Sequence, residues 1–416
     1  MKMPVDCVVV GAGQAGLGVS RRLQERGVDH LVLEQGRIGD TWRTQRWDSF
    51  RVNTPNWMNG LPGLDYDGDP DAFPSATELA DSFERYAAKF QLPVRTGVTV
   101  TSVEEGSGGF EIGTDAPDLS VIPARSVVIA SGPMRRARIP AVAGSVPPGI
   151  AQLHAGEYRN PEDLPAGAVL VVGTAQSGCQ IAEDLLGAGR RVYLSCSSVT
   201  RVPRRYRGRD VTAWLSDIGF FDMRPADLPD PAMLRAAWPQ VSGVGRRGHT
   251  VGLPRLSGLG AVLVGRLTGV SNGIVTFEDT VADAIRAADA GSAMIRGLVE
   301  AHIARTGMEA GPLESDPADE PCMDPEALRG PLDLDLGAAG VGSVVWCTGF
   351  DAGLSWIHLP VVDRDGAAIH DDGVSPVPGL FFVGLPWMRV RRSSIISGVD
   401  PDSAFIAEAV AAHLAG

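Results

Sequence analysis

Short unbroken apolar runs that end in glycine alternate with amphipathic stretches along the chain. Residues 5–10 (VDCVVV) predict a buried strand, followed by Gly11-x-Gly13-x-x-Gly16 and a helical pattern to about Arg26. Gly27 stops that helix, and HLVLE (30–34) predicts the next strand. The same grammar returns far downstream. A strand at 169–172 leads into the turn Gly173–Gly178, a helix over 178–188 and a strand over 190–195 (RRVYLS). Each unit closes a βαβ within about 30 residues, the setting a phosphate-binding turn requires.

The rest of the pattern is less regular. Residues 40–75, rich in Trp, Asn, Pro and Gly, read as an ordered loop. Ser75 or Thr77 caps an amphipathic helix over 78–90, and VRTGVTVTSVEE with GGFEIGT suggests antiparallel strands. SVVIASGP (126–133) and VGSVVWCTGF (341–350) are two buried strands ending in turns. Between 139 and 168 Pro, Gly and Ala mark a boundary. From 200 to 335 only a basic loop, a helix near 281–305 and an acidic Pro/Gly segment at 311–340 stand out. GLFFVG (379–384) is a further buried strand, and DSAFIAEAVAAHL (402–414) a closing helix. The predicted fold is α/β, with two Rossmann-like dinucleotide-binding domains, the second inserted in the first. Residues 1–160 and 346–416 form the first domain, and 161–345 the second.

Composition narrows the partners. A net charge of −13 repels nucleic acid and anionic membranes. No stretch reaches the roughly 18 consecutive apolar residues of a membrane span, and the run at Val8–Val10 is too short for a secretory signal. Five scattered cysteines without a Cys-x-x-Cys read as reduced, buried thiols of a soluble, cytoplasmic protein. No metal-ligand spacing and no nucleophilic serine or cysteine motif is evident.

The two glycine turns carry the chemistry. Gly11 permits the sharp strand-to-helix turn, Gly13 the approach of a pyrophosphate, and Gly16 the packing of helix on strand. Gln14 and Ala15 stand at the helix start, whose free N–H groups and positive dipole end suit phosphates. Glu34, with Gln35 after it, ends the second strand where a carboxylate accepts hydrogen bonds from a ribose. The alternative is a fortuitous glycine turn. In the second turn (Gly173, Ala175, Gln176, Ser177, Gly178) an alanine replaces the middle glycine, and the following strand ends at Ser195 rather than an acid. Without that carboxylate a 2′-phosphate is not repelled. The run RVPRRYRGR, with Arg201 and Arg204, offers either positive charge for that phosphate or a solvated basic loop. The first site thus reads as FAD and the second as NADP(H), with a hydride passing between them.

These residues resemble the class B flavin monooxygenases, the group of flavin-containing monooxygenases, plant YUCCA-type enzymes and Baeyer–Villiger enzymes. The resemblance spans nearly the whole chain. It rests on both glycine turns, GDTW (39–42), RVNTP (51–55), VVIASG (127–132), LHAGEY (153–158), VVWCTGF (344–350) and GLFFVG (379–384). His154 and Tyr158 match the second half of the group's Phe-x-Gly-x-x-x-His-x-x-x-Tyr/Trp segment, while Pro148 and Ile150 depart from its first half. The resemblance implies Asn53 near the reactive edge of the flavin, or supporting the turn before Pro55. It implies His154 in catalysis, or holding a linker. It further implies Trp42 and Arg43 along the flavin, and Ser131, Gly132, Thr348, Gly349 and Gly384 at the cofactors where the chain crosses between domains. Trp47 and Trp57 line the pocket or pack beside it. The implied reaction is reduction of FAD by NADPH and transfer of one oxygen atom from a C4a-(hydro)peroxyflavin. The small-molecule substrate takes that atom at a soft N or S atom, or second at a carbonyl. Alternatives are an NADPH oxidase or electron-transfer flavoprotein, a disulfide reductase (which the cysteine pattern opposes) and a binding module without turnover. A homodimer is common on this scaffold.

Overall fold

The structure, a computed structural model, describes residues 4–235, 239–243 and 245–416. Its first sheet forms around β1 (Val5–Val10), whose residues Cys7, Val8 and Val9 are completely buried. A strand apolar on both faces needs parallel neighbours with helices above and below. β1 has them: α1 (Gln14–Glu25) returns the chain to β2 (His30–Glu34), parallel to β1, and Val121–Ile129 lies parallel on its other side. The sheet runs Val94–Thr96, β2, β1, Val121–Ile129, Gly109–Thr114, Val100–Gly106, the last two antiparallel as their alternating pattern predicts. Leu380–Phe382 joins the same sheet, parallel to Val127–Ile129.

The second sheet is entirely parallel. β3 (Ala168–Val172), α2 (Gln176–Gly187) and β4 (Val192–Ser195) repeat the first unit, with α2 starting two positions earlier than its periodicity predicts. Val262–Val264 extends one side, and Val341–Trp346 and then Ala151–His154 the other. Ala151–His154 therefore pairs in the second sheet although the sequence places it before the boundary at 160. The chain leaves the first sheet at Ile129, builds the second, and returns at Leu380. A closing helix, Val399–Ala415, then buries Val399, Ile406, Ala407 and Val410 in the cluster that holds Leu17, Val19 and Leu23 of α1.

Ser75 is the cap of the helix Ala76–Phe90. Its hydroxyl accepts from the Glu78 N–H at 3.1 Å while the Glu78 carboxylate accepts from the Ser75 N–H at 2.7 Å, a reciprocal pair that satisfies two otherwise open donors. The loop 40–75 is ordered by buried Trp47 and Phe50, edge to face at 5.1 Å. The stretch 200–335 holds a helix Val211–Ile218, a long helix Val281–Thr306 and a three-stranded antiparallel sheet of Leu267–Ser271, Ile274–Phe277 and Asp333–Asp335. Among the described residues no helix is long and apolar enough to cross a membrane.

Candidate active site between two glycine turns

The two turns share one geometry. Gly11 has φ +108° and Gly173 φ +107°. A Cβ at Gly16 would lie 1.9 Å from the Gly11 oxygen, and one at Gly178 1.9 Å from the Gly173 oxygen. Only glycine lets each helix start sit against its turn. At the middle position, Gly13 has φ −80°, ψ −173° and Ala175 φ −70°, ψ −176°. The alanine thus leaves the backbone path unchanged, and nothing lies within 4 Å of a Cβ placed on Gly13. That open space, faced by an unpaired helix N-terminus, is what a pyrophosphate requires.

Glu34, 8 % exposed, closes the far end of the first site. Its carboxylate accepts from the N–H groups of Ala12 at 2.7 Å and Gly36 at 3.0 Å. Burial lifts the Glu34 carboxyl above its ordinary value, and the hydrogen bonds from Ala12 and Gly36 oppose that lift. A cleft of about 150 Å³ runs from Glu34 and Gln35 past Gly11, Gly13, Gln14 and Ala15. Trp42, Ser131, Gly132 and Gly384 complete the predicted residues in its wall. These groups fit the ribose, pyrophosphate and ring of FAD.

The cleft is continuous with a larger cavity of about 550 Å³, and Gln14, Trp42, Gln45, Arg46, Pro133 and Met134 line both. The larger cavity reaches the second turn at Gln176 and Ser177, and also takes in Gly349 and Asn53. The Trp42 indole N–H donates to Gln14 Oε1 at 3.1 Å, which fixes the junction. Gln180, one helical turn beyond Gln176, is fully buried and donates to Asn53 Oδ1 at 3.5 Å. Gln176 itself accepts from the Val241 N–H at 2.7 Å, pinning the segment after residue 239 over the start of α2.

Several expectations change. Arg43 points away from the cleft and pairs with Asp81 at 2.7 Å; the guanidinium beside the cleft is that of Arg46, three residues on. Arg46 stacks over Trp42 and Phe50, with its pKa pushed down to about 10 by burial. His154 is completely buried behind the cavity wall: its Nδ1 accepts from the Gly156 N–H at 3.1 Å, and its ring stands edge-on to Phe350 at 4.5 Å. It positions the crossover at Gly349 and Phe350 and does not face the cavity. Tyr158 likewise ties that linker to α2, donating to Asp184 at 2.7 Å. Trp47 lines the cavity, whereas Trp57 is exposed. Thr348 is tied to the Arg138 carbonyl, and the Ser195 hydroxyl donates to the Gly265 carbonyl at 2.9 Å.

Arg201 and Arg204 are both 1 % exposed. Arg201 pairs with Asp289 at 2.7 Å and with Asp319; Arg204 pairs with Asp210 and donates to the Asn53 carbonyl at 2.9 Å. Their charges hold the insertion together and are not presented to a nucleotide. Arg201→Ala takes the guanidinium from half-buried Asp289 and leaves buried Asp319 to Arg296 at 3.3 Å, a loss of about 3 kcal/mol. The melting temperature is expected to fall by roughly 10 °C while the preference for NADPH over NADH stays. A changed coenzyme preference at an unchanged melting temperature would restore the phosphate role.

The sequence reading missed two parts of the wall: Leu215, Phe220, Phe221 and Ile295 from the insertion, and the C-terminal segment carrying Arg391 and Ile396. The amphipathic pattern of 211–218 was the one available signal.

Comparisons with known proteins agree with this geometry. The profile of the pyridine nucleotide-disulphide oxidoreductase family matches residues 8–218. An uncharacterized CzcO-like oxidoreductase of Geobacillus kaustophilus is 29 % identical over 416 residues, covering 99 % of this chain and 100 % of its own. The indole-3-pyruvate monooxygenase YUCCA1 of Oryza sativa subsp. japonica is 28 % identical over 290 residues, 67 % of this chain and 70 % of its own. A flavin-containing monooxygenase from Stenotrophomonas maltophilia superposes with a TM-score of 0.65 at 19 % identity, covering 99 % of each chain. OTEMO, in complex with FAD and NADP, does so with a TM-score of 0.57 at 16 % identity, over 99 % of this chain and 86 % of its own. The chain belongs to the pyridine nucleotide-disulphide oxidoreductase family, and its fold is that of the flavin monooxygenases that bind FAD and NADP.

Proposed function

We propose that the protein takes two electrons from NADPH and places one atom of O2 on a small molecule, at a soft heteroatom such as sulfur or an uncharged nitrogen. The observation that carries this reading is the single cavity that touches both helix starts, at Gln14 and at Gln176. A nicotinamide held from the start of α2 and a flavin ring held from the start of α1 would both border this cavity. FAD, when bound, supplies the electron transfer and the reaction with oxygen.

The chain's own residues bind, orient and exclude water. Glu34 holds a ribose, and the N-terminus of α1 the phosphates. Asn53, steadied by Gln180 and by the Arg204 contact to its carbonyl, presents its side-chain amide to the cavity. It is placed to hydrogen-bond the nicotinamide carboxamide or the flavin edge. The walls of Trp47, Phe50, Phe221 and Ile295 keep water from the reacting atoms, which suppresses premature proton transfer.

The test is a single turnover. FAD-loaded protein is reduced anaerobically with NADPH, then mixed with ¹⁸O2 and 4-(methylsulfanyl)phenylacetate. One labelled oxygen in the sulfoxide per NADPH is expected. One hydrogen peroxide released per NADPH, with the sulfide recovered unchanged, identifies an oxidase and overturns the reading.

A further inference from the structure

The wall of the larger cavity reverses the charge balance of the chain. The protein has 50 acidic against 37 basic residues. Yet among the described lining residues the charged side chains are Arg46 and Arg391, with no carboxylate. Arg46 also borders the flavin cleft. Arg391 lines only the larger cavity.

The neighbours of Arg391 make the contrast sharper. Arg389 pairs with Asp402 at 3.4 Å, and Arg392 with Asp222. Arg391 has no carboxylate partner among the described residues. Its guanidinium lies 4.1 Å from the Phe220 ring centroid and 5.1 Å from that of Trp387, and its backbone N–H donates to the Met223 carbonyl at 2.9 Å. Trp387 holds its place with φ +56°, a left-handed conformation that bulky residues rarely adopt. Two rings therefore fix the plane of this cation while its charge stays uncompensated. Burial pushes its pKa down, as expected where nothing of opposite sign stands near. A guanidinium in a mostly apolar wall is costly to leave unpaired and offers a planar fork suited to a carboxylate.

We infer that the substrate is an organic acid with an apolar, ring-sized body, its carboxylate taken by Arg391 and its body lying on Phe220, Phe221, Leu215 and Ile295. This rests on the monooxygenase reading for the cavity being a substrate pocket. The class excludes protonated amines, which meet two like charges in a low-dielectric site, and selects sulfides and uncharged nitrogen compounds that carry an acid group. A phosphate of NADP(H) is the other anion within the enzyme's own chemistry.

Calorimetry on the FAD-loaded protein, without turnover, separates these. The ligands are 4-(methylsulfanyl)phenylacetate, its primary amide, and 2-[4-(methylsulfanyl)phenyl]ethylamine. The acid is expected to bind at least about tenfold more tightly than the amide, with the amine weakest, since a hydrogen-bonded ion pair exceeds a neutral contact by about that factor. Arg391→Gln removes the acid's advantage and leaves amide affinity and NADPH affinity within about twofold. Arg391→Lys, which keeps the charge, retains part of the advantage and guards against a folding artefact. Equal binding of acid and amide by the wild type overturns the inference. So does an Arg391→Gln variant that keeps the acid preference and loses NADPH affinity, which assigns the cation to the coenzyme. Failure of the monooxygenase reading appears elsewhere: the acid preference stands, but no labelled sulfoxide forms.

Discussion

Replacing Gly178 by alanine will yield a yellow protein that NADPH reduces on the order of 100-fold more slowly. The added methyl falls 1.9 Å from the Gly173 oxygen and 2.9 Å from its carbonyl carbon, both backbone atoms that no rotamer change can clear. The start of α2 must move off its turn, and the N–H groups that face the second dinucleotide move with it. Overpacking of this kind costs about 1–3 kcal/mol, a modest fall in melting temperature. The functional loss is larger, because displacing a docked reactant by about 1 Å lowers its rate on the order of 100-fold. The flavin content, read from visible absorbance after desalting, stays at the wild-type level because the first turn is untouched. Anaerobic stopped-flow reduction measures the rest. Ala175→Gly is the control: the backbone already follows the path that Gly13 takes, so its reduction rate will lie within about threefold of wild type. Normal reduction of the Gly178→Ala protein would mean that NADPH does not dock on this turn.

Glu34→Ala will empty the flavin site. The substitution removes the carboxylate proposed to hold the ribose and strands the N–H groups of Ala12 and Gly36, which it holds at 2.7 and 3.0 Å. Hydrogen bonds to a charged group contribute about 1.5–3 kcal/mol each, so the Kd for FAD is expected to rise about 100-fold, read by flavin fluorescence on release. Glu34→Gln keeps an acceptor and falls between, near tenfold. The pH dependence has a definite sign. Because burial lifts the Glu34 carboxyl above its ordinary value, its charge is lost at a higher pH than that of an exposed glutamate. Acidification will therefore release FAD from the wild type sooner than ordinary carboxylates titrate, and Glu34→Gln will lack that step. A Glu34→Ala protein that stays fully yellow through desalting would remove the ribose role.

What was legible in the sequence was local. The turn at Gly11–Gly16, its echo at Gly173–Gly178 and Glu34 each sit within one βαβ unit, where spacing along the chain translates directly into spacing in space. The capping box at Ser75 and Glu78 is readable for the same reason. The arginines were not. Arg43 and Arg46 lie on either side of one short turn, and which of them meets the cleft depends on Asp81, on a different helix. Arg201 read as part of a surface run because its partners stand at 289 and 319, outside any local window, whereas the partner of Arg204, Asp210, stood only six residues on. The pocket wall was hidden for a related reason. Leu215 with Phe220, Ile295, and Arg391 come from three separate segments, and each apolar one alone resembles ordinary core. His154 shows the limit of a motif: its position left catalysis and linker support both open, and its burial against Phe350 favours the second.

The return of the chain to its first sheet at Leu380–Phe382 has a consequence for how the protein is made. Val121–Ile129 leaves the ribosome with one parallel neighbour, β1, while the other is still more than 250 residues from being translated. At ordinary elongation speeds that interval is on the order of tens of seconds, long enough for the inserted sheet, complete by Trp346, to fold first. Gly384, in the wall of the first cleft, and the helix Val399–Ala415 are made only after that, so the first cleft closes around a partner sheet that has already taken shape.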